Sequence, residues 1–468
     1  MVCCGIHACE RHREECHPVA ERIEGSPERL GTDLCTLAGF CGRYEPYERR
    51  FPKESMKPRL WIVSELYYPD AQATSRIMTS IAEGLVKDFE VSVLSAFPTV
   101  QFEPQRDVQK VEVHGGVTIR RFLSSRMDKS VLLFRLVNLF TISVPVFLHL
   151  LTRLKSSDRV LVVTNPPVLP FICAAASSIR GARCVVLTHD IYPDVLLPTG
   201  ILRENDAMYR LLQRITEWLF GNVSDVIVLG RDMKDVVENY MRNRRTGLWV
   251  IPNWSEPDRI TASKRSENSI LREYGLADKF VLQYAGTMGR THGIESLLEC
   301  ARRCSNRTDV HFLFAGAGVK RALVERACAD GEAPNVTLLE FLDARHQNEL
   351  LNACDVALIS MIKGMYGISV PSRMYNIMAA GKPIIAITDE RSELARVVEE
   401  ERIGWTVRPD DIDGLVAAID LARCNPSLRA DMGMRARRTA ESTYRVEPSL
   451  HKFREILRRE STQHVVAQ

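Results

Sequence analysis

The sequence predicts an α/β fold of two domains, each a parallel sheet covered by helices. The chain has 468 residues, which is too many for one ordinary hydrophobic core. From residue 57 onwards, short apolar runs alternate with longer segments of helical spacing, the order typical of parallel sheets. The alternation pauses once, in a charged stretch at residues 256–268, and then resumes.

The apolar runs give the strands of each domain. In the first domain, residues 57–255, we predict strands at 60–64, 91–95, 160–164, 184–188, 226–229 and 249–251. In the second domain, residues 256–435, we predict strands at 280–284, 311–315, 336–339, 356–360 and 384–387. In residues 436–468 we predict a C-terminal helix, which could pack back across the domains.

Residues 1–56 differ from the rest because they lack a hydrophobic period and hold six of the 13 cysteines. We predict a disordered extension, or a start codon placed too early. A zinc site is the alternative, although its Cys and His residues lack regular CxxC spacing. No apolar signal segment opens the chain, and the remaining cysteines are scattered, which predicts a cytoplasmic protein without disulfides.

The formal net charge of +3 gives no case for nucleic acid as a partner.

One strongly apolar segment, residues 131–151, is flanked by basic residues and is long enough to span a membrane. Arg135, Asn138, Pro145 and His149 interrupt it, which makes spanning costly. A helix that binds the membrane surface and an ordinary core helix are therefore both open alternatives.

Residues 367–383 form the most informative segment of the second domain. Pro371 and Ser372 predict a helix start with Ser372 as N-cap, and Gly381 predicts the helix end. The free backbone N–H groups and the side chain of Arg373 would suit a diphosphate. An ordinary strand-loop-helix unit explains the same spacing equally well.

Two further glycine-bearing loops follow strands of this domain. The loop at residues 285–293 holds Gly286, and its Arg290 and His292 could reach phosphate oxygens, although loop histidines are often only solvated. The loop at 315–318 resembles a dinucleotide-binding turn, but Arg321 replaces its third glycine. A nicotinamide enzyme is therefore disfavoured.

Three loops of the first domain follow predicted strands and should share one sheet edge, where open parallel sheets bind ligands. His189 and Asp190 follow one strand, Asn165 follows another, and Asp70 and Thr74 lie in the turn after the first. His189 could equally cap its own loop. These residues would face the glycine-bearing loops of the second domain, which predicts a cleft between the domains.

Taken together and in order, these segments resemble family 4 of the retaining glycosyltransferases, which have the GT-B fold. The resemblance covers residues 57–458 and is nearest to the branch that builds bacterial capsule, O-antigen or colanic-acid-type polysaccharides. The segments that carry it are Tyr68-Pro-Asp, Thr164-Asn-Pro-Pro, His189-Asp-Ile-Tyr-Pro-Asp, Ile251-Pro-Asn-Trp, Tyr284-Ala-Gly-Thr-Met-Gly, Phe314-Ala-Gly-Ala-Gly, Cys354-Asp-Val-Ala-Leu and Val370-Pro-Ser-Arg-Met-Tyr-Asn.

The resemblance implies transfer of a sugar from a nucleotide sugar, expected to be UDP-linked, to a polyprenyl-linked or oligosaccharide acceptor. It implies no cofactor and no essential metal, and a peripheral position on the inner membrane face. His189 and Asp190 would be catalytic, and Asp70, Thr74 and Asn165 would lie on the acceptor side. Residues on the donor side would be Gly286, Thr287, Arg290, His292, Gly316, Ser369, Ser372, Arg373 and Asn376.

The chain departs from the family at residues that carry charge. The usual pair of glutamates aligns with Ile368 and Asn376, and the usual Arg and Lys of the phosphate loop align with Thr287 and His292. Arg290 and Arg373 are the expected compensating cations. The alternative is a catalytically silent GT-B protein that binds a glycan or a partner.

Overall fold

The computed structural model describes residues 57–98, 108–123, 132–241, 246–339 and 346–459, without the side chains of 131–140. The predictions for residues 1–56, including the zinc site, lie outside this part of the chain. Among the described residues, no three His, Cys, Asp or Glu side chains are grouped so as to hold a metal ion.

Eight strands of the described chain form the first sheet, in the order β3-β4-β2-β1-β5-β6-β7-β8. All neighbours are parallel except β3 and β4, which are antiparallel. The strands are β1 Arg59–Val63, β2 Glu90–Ala96, β3 Val111–His114, β4 Val117–Phe122, β5 Arg159–Val163, β6 Arg183–Thr188, β7 Asp225–Val228 and β8 Gly247–Val250. The helices between them are α1 Ala73–Leu85, α2 Leu132–Arg153, α3 Leu169–Arg180, α4 Ala207–Gly221 and α5 Arg231–Tyr240.

The second sheet has six strands within the described residues, in the order β11-β10-β9-β12-β13-β14, and all its pairs are parallel. Its strands are β9 Phe280–Ala285, β10 Val310–Ala315, β11 Val336–Leu338, β12 Val356–Ser360, β13 Ile384–Ile387 and β14 Gly404–Val407. The accompanying helices are α6 Ser269–Glu273, α7 Ile294–Arg303, α8 Arg321–Ala329, α9 Gln347–Asn352, α10 Arg373–Ala379, α11 Glu393–Glu400, α12 Ile412–Cys424, α13 Pro426–Ser442 and α14 Val446–Arg458.

Every predicted strand is present, and three strands were not predicted. β3 and β4 form a hairpin around Gly115 and Gly116, both with positive φ, so the Gly-Gly pair was a usable turn signal. β14 is a four-residue edge strand whose first three residues are only partly buried. A short edge strand buries too little apolar surface to produce a clear hydrophobic run.

The last helix, α14, returns to the first sheet. Phe453, Ile456 and Leu457 belong to the hydrophobic core around that sheet. The Arg454 guanidinium donates to the Asp88 carboxylate at 2.8 Å, just beyond α1. Helix α14, at the end of the described chain, is therefore anchored to the first domain. The domain boundaries at 255 and 435 remain predictions.

Helix α2 occupies much of the strongly apolar segment. Ile142, Val146 and Leu150 are buried in the first core, whereas Val144 and Leu148 are 50% and 54% exposed. No helix of the described chain has the length and apolar character needed to cross a membrane. The helix therefore packs along one side and leaves apolar side chains exposed on the other.

Candidate functional site

The loop after β6 meets the segment before α10, so two sequence-distant groups of predicted site residues lie together. Asp190 and Ser369 form an antiparallel backbone bridge. Beside it, the Ile191 N–H donates to the Ile368 carbonyl at 3.0 Å. This bridge joins the carboxyl edge of the first sheet to the second half of the molecule, and it places a predicted catalytic residue against a predicted donor-side residue.

His189 is held by the neighbouring loop of the same sheet. The backbone N–H groups of His189 and Asp190 donate to the Thr164 hydroxyl at 3.0 and 3.3 Å. Thr164 follows β5, which pairs with β6, so strand order accounts for the contact. The His189 Nε2 atom is buried and has no hydrogen-bond partner among the described residues. Burial lowers the pKa of His189 to about 4, so the imidazole is neutral near pH 7.

Burial also disfavours the charged form of Asp190, which shifts its pKa in the opposite direction. Burial raises the pKa of its carboxyl to about 6, and a hydrogen bond from Ser369 partly opposes that shift. A carboxyl with this pKa can gain or lose a proton close to neutral pH, which suits an acid or base role. The geometry therefore gives the loop one neutral imidazole and one titratable carboxyl.

Arg373 is the centre of the donor-side cluster. Its guanidinium lies over the ring of Tyr284, 4.7 Å from the centroid. It donates to the Thr287 carbonyl at 3.1 Å, and its Nη2 lies 3.0 Å from the His292 Nε2. Three predicted donor-side residues, Thr287, His292 and Arg373, are thus in direct contact.

The role of the contact between Arg373 and His292 depends on the tautomer of His292. Burial, followed by the charges of Arg373 and Lys320, lowers the pKa of His292 to about 3, so the ring is neutral. Its Nδ1 accepts from the Gly289 N–H at 3.2 Å. A neutral imidazole has only one accepting nitrogen, so Nε2 then carries the proton and faces another donor. In this tautomer Arg373 retains hydrogen-bonding capacity for an anion.

Glycines allow the two loops of the second domain to pack against each other. A Cβ on Gly316 would lie 1.9 Å from the Gly286 carbonyl oxygen, and one on Gly318 would lie 2.5 Å from the Met288 oxygen. Both glycines have φ of +138°. Gly316, predicted on the donor side, therefore has a packing reason to be glycine, and the loop beginning at Gly286 rests on it.

The start of α10 differs from the prediction in one respect. Ser372 does occupy the N-cap position, but its backbone is helical and its side chain makes no capping hydrogen bond. The Met374 N–H instead bonds to the Pro371 carbonyl at 3.2 Å, so a tight turn already includes Ser372. Asn376 accepts from the Glu256 N–H at 3.1 Å, which ties α10 to the segment between the two sheets.

The other predicted residues are less closely grouped. Arg290 is exposed, and its side chain has no hydrogen bond or ion pair with described residues. The buried Asp70 carboxylate accepts from the Gln72 N–H at 3.0 Å within its own loop. Thr74 lies in the first turn of α1, and Asn165 lies next to Thr164.

Ile368, at a position where the resemblance expects a glutamate, is buried. It packs with Val195, Met361 and Met365 in a small apolar cluster next to the bridge. A carboxylate in this cluster would lack a charged partner and would be costly. The apolar surroundings of Ile368 are therefore consistent with the absence of a glutamate at this position.

Sequence reasoning missed three residues that shape this site. The Lys320 ammonium donates to the His292 carbonyl and to the Glu295 carboxylate, both at 2.8 Å. Tyr284 supports the Arg373 guanidinium. Asp232, after β7, accepts from the backbone N–H of Gly367 at 3.2 Å. Asp232 could have been found because it follows a strand at the ligand-binding edge, as Asp190 does.

Comparisons with known proteins find that this chain is similar to glycosyltransferases. The family model for glycosyl transferases group 1 matches residues 279–422. The probable glycosyltransferase WbjE of Pseudomonas aeruginosa is 31% identical over 304 residues, which is 65% of this chain and 75% of that protein. The putative colanic acid biosynthesis glycosyl transferase WcaI of Escherichia coli is 25% identical over 83% of this chain and 96% of WcaI.

Solved structures share the fold at lower identity. Anabaena HepE, in complex with UDP, superposes with a TM-score of 0.64 at 15% identity, covering 85% of this chain and 99% of HepE. WaaG, a glycosyltransferase involved in lipopolysaccharide biosynthesis, gives a TM-score of 0.61 at 15% identity over 86% of this chain and all of WaaG. The predicted GT-B fold is confirmed, and the chain belongs to the group 1 glycosyltransferases.

Proposed function

We propose that this glycosyltransferase transfers a sugar, with retention of configuration, from a UDP-sugar to a lipid-linked or growing glycan acceptor in cell-surface polysaccharide synthesis. The names of WcaI and WaaG place those two proteins in colanic acid and lipopolysaccharide biosynthesis, and HepE binds UDP. Shared fold and sequence similarity support carrying these properties over. Retention is what the resemblance to family 4 implies.

The observation that carries the proposal is the bridge between Asp190 and Ser369. It sets the first-domain loop against the segment that leads into α10 and Arg373. A sugar attached to a diphosphate could then have its phosphates near Arg373 and its reacting carbon near His189 and Asp190. Transfer between two substrates needs this kind of shared cleft.

The proposed chemistry is mainly electrostatic. The bond from the sugar to the diphosphate breaks as the acceptor hydroxyl attacks, and negative charge grows on the departing phosphate. In this proposal Arg373 stabilises that charge, with Lys320 as the second cation of the cluster. Asp190 can take the acceptor proton when it is ionised. No cofactor takes part in this proposal, and the nucleotide sugar is a substrate.

For its location we propose the cytoplasmic face of the membrane, where a lipid-linked acceptor would be met. The exposed Val144 and Leu148 of α2 support contact with an apolar phase. Arg153 at the helix end would favour anionic headgroups.

A donor-binding experiment tests the role of Arg373. We expect Arg373→Ala to weaken UDP binding, measured by calorimetry, by about 10- to 150-fold, because a charge-assisted hydrogen bond contributes about 1.5–3 kcal/mol. Arg326→Ala, at an exposed arginine of α8, should leave UDP affinity unchanged. Equal affinity for UDP in both variants would remove Arg373 from the donor site.

The second candidate function is a catalytically silent protein of the same fold. The apolar surroundings of Ile368 favour it, because the resemblance expects a glutamate at this position. A panel of UDP-sugars with a polyprenyl-linked acceptor distinguishes the two. Transfer or slow donor hydrolysis supports the enzyme, and loss of turnover in His189→Ala assigns it to this cleft. Donor binding without any turnover supports the silent protein.

A further inference from the structure

An apolar groove lies on the first domain among α2, α3 and α4. Its volume is about 620 Å³. Phe147 of α2, Phe171 and Ile172 of α3, and Ile215 and Trp218 of α4 form its walls. Of the described residues that line it, only Arg214 is charged. Apolar and aromatic walls with few polar groups are typical of small-molecule sites of this size.

The groove is open to solvent. Ile215 and Trp218 are 38% and 44% exposed, and the apolar side chains of Val144 and Leu148 lie on the neighbouring helix α2. Exposure of several large apolar residues together usually marks a binding surface. Apolar walls beside the exposed guanidinium of Arg214 suit an apolar chain that carries an anionic head.

Phe171 lies between the groove and the candidate active site. That ring also lines a small inner cavity of about 20 Å³, whose other walls include Thr164, Asp190 and Tyr192. Helix α4 contributes to both spaces, since Ile215 faces the groove and Thr216 faces the cavity. The Thr216 hydroxyl donates to the Tyr192 carbonyl at 2.9 Å, which fixes α4 to the catalytic loop.

We infer that this groove binds the isoprenoid chain of a lipid-linked acceptor. The chain would lie against Phe147, Ile172 and Trp218, and its head would lie at Arg214. Arg214 is exposed and its side chain has no hydrogen bond or ion pair with described residues, so it can pair with the phosphate of that head. The inference rests on the proposed function for the identity of the acceptor.

Chain length provides the first test. The full protein is titrated with farnesyl phosphate and with isopentenyl phosphate, which have the same head and differ by ten carbons, and tryptophan fluorescence is followed. We expect farnesyl phosphate to bind at least tenfold more tightly, because affinity follows buried apolar area. Trp218→Phe should remove most of the fluorescence change. Equal affinity for both probes would overturn the inference.

Filling the groove provides the second test. Ala175, another lining residue, is replaced by tryptophan, and Ala175→Trp should lose at least tenfold in farnesyl phosphate affinity. Leu211→Gln is the matched control, because Leu211 lies on α4, is 51% exposed and does not line the groove. If Ala175→Trp unfolds, shown by its melting curve, Ile215→Gln takes its place. Unchanged affinity in a folded variant contradicts the inference.

Vesicles of phosphatidylcholine and phosphatidylglycerol separate the groove from a general membrane contact. We expect Ala175→Trp to keep co-sedimenting with vesicles while it loses farnesyl phosphate. If instead farnesyl phosphate fails to bind the wild type and Leu211→Gln releases the protein from vesicles, the surface binds the bilayer and the inference is wrong. UDP calorimetry on the same samples reports independently on the proposed function.

Discussion

At the scale of single residues, the candidate site depends on groups whose charge is set by burial. His189 and Asp190 are adjacent in sequence, yet burial disfavours the charged form of each and moves the two pKa values in opposite directions, to about 4 and about 6. An imidazole that stays neutral can accept or donate one hydrogen bond to a sugar hydroxyl. The Asp190 carboxyl can gain or lose its proton close to neutral pH.

The raised pKa of Asp190 predicts a pH-dependent stability. The folded state holds this proton more tightly than the unfolded chain, whose carboxyl has its ordinary pKa of 3.8. The contribution of Asp190 to the free energy of unfolding is therefore fully present below that value and is lost as pH rises to about 6. Asp190→Asn should then be more stable than wild type at pH 7, by up to about 3 kcal/mol.

Urea unfolding of both proteins from pH 3.5 to 7.5 measures this difference. It should be small at the acid end and should grow between the two pKa values. Asp413→Asn is the control, since that carboxylate is 91% exposed and should give a small difference at every pH. A difference that does not change with pH would contradict the raised pKa of Asp190.

At the scale of elements, the predicted donor side is built from loops that need glycine. The Gly286 N–H donates to the Ala315 carbonyl, and the Met288 N–H donates to the Ala317 carbonyl, both at 2.8 Å. These bonds hold the loop after β9 against the loop after β10. Side chains at Gly316 or Gly318 would separate them, so the position of Thr287 and His292 depends on the second loop.

We predict that Gly316→Ala destabilises the protein by several kcal/mol, because its Cβ would meet the Gly286 carbonyl oxygen at a positive φ. Gly331→Ala is the matched control, with φ of +69° and no atom within 4 Å of the added Cβ. That control should cost only about 1–2 kcal/mol of backbone strain. Thermal melts compare the two, and similar losses would show that loop packing adds nothing beyond strain.

At the scale of the whole molecule, a buried carboxylate joins the two halves. Asp232 of α5 accepts from the Gly367 N–H at 3.2 Å and from the Glu393 N–H at 2.9 Å. Next to it, Arg231 forms an ion pair with Glu393. Both contacts lie between an element of the first sheet and segments of the second, close to the bridge at Ser369.

We predict that Asp232→Ala loosens the segment around Gly367, because two buried N–H groups lose their acceptor, at about 1–3 kcal/mol each. Hydrogen exchange of residues 366–370 should accelerate at least about fivefold, by conversion of the lower figure, with little change in β13. Glu238→Ala, on the exposed side of α5, should have a much smaller effect, because its side chain is 54% exposed and pairs with Lys234 of the same helix. Equal exchange in both variants would show that Asp232 does not hold the halves together.

The sequence alone determined the buried strands and the loops at their ends, because these depend on residues that are neighbours in the chain. Strands β1, β5 and β6 are buried on both faces, so they are continuous apolar runs that a reader of the sequence can recognise. The rule that ligands bind at the carboxyl edge of parallel strands then picks out His189, Asp190 and the glycine loops. The GT-B resemblance came from the order of these same segments.

Tertiary structure decided which of these residues meet and what charge they carry. The bridge between Asp190 and Ser369 joins positions far apart in the chain, and the pKa values of His189 and Asp190 depend on burial that no local pattern records. The apolar groove likewise depends on how α2, α3 and α4 pack. Contact, burial and charge arise from long-range packing, which a linear pattern of residues does not specify.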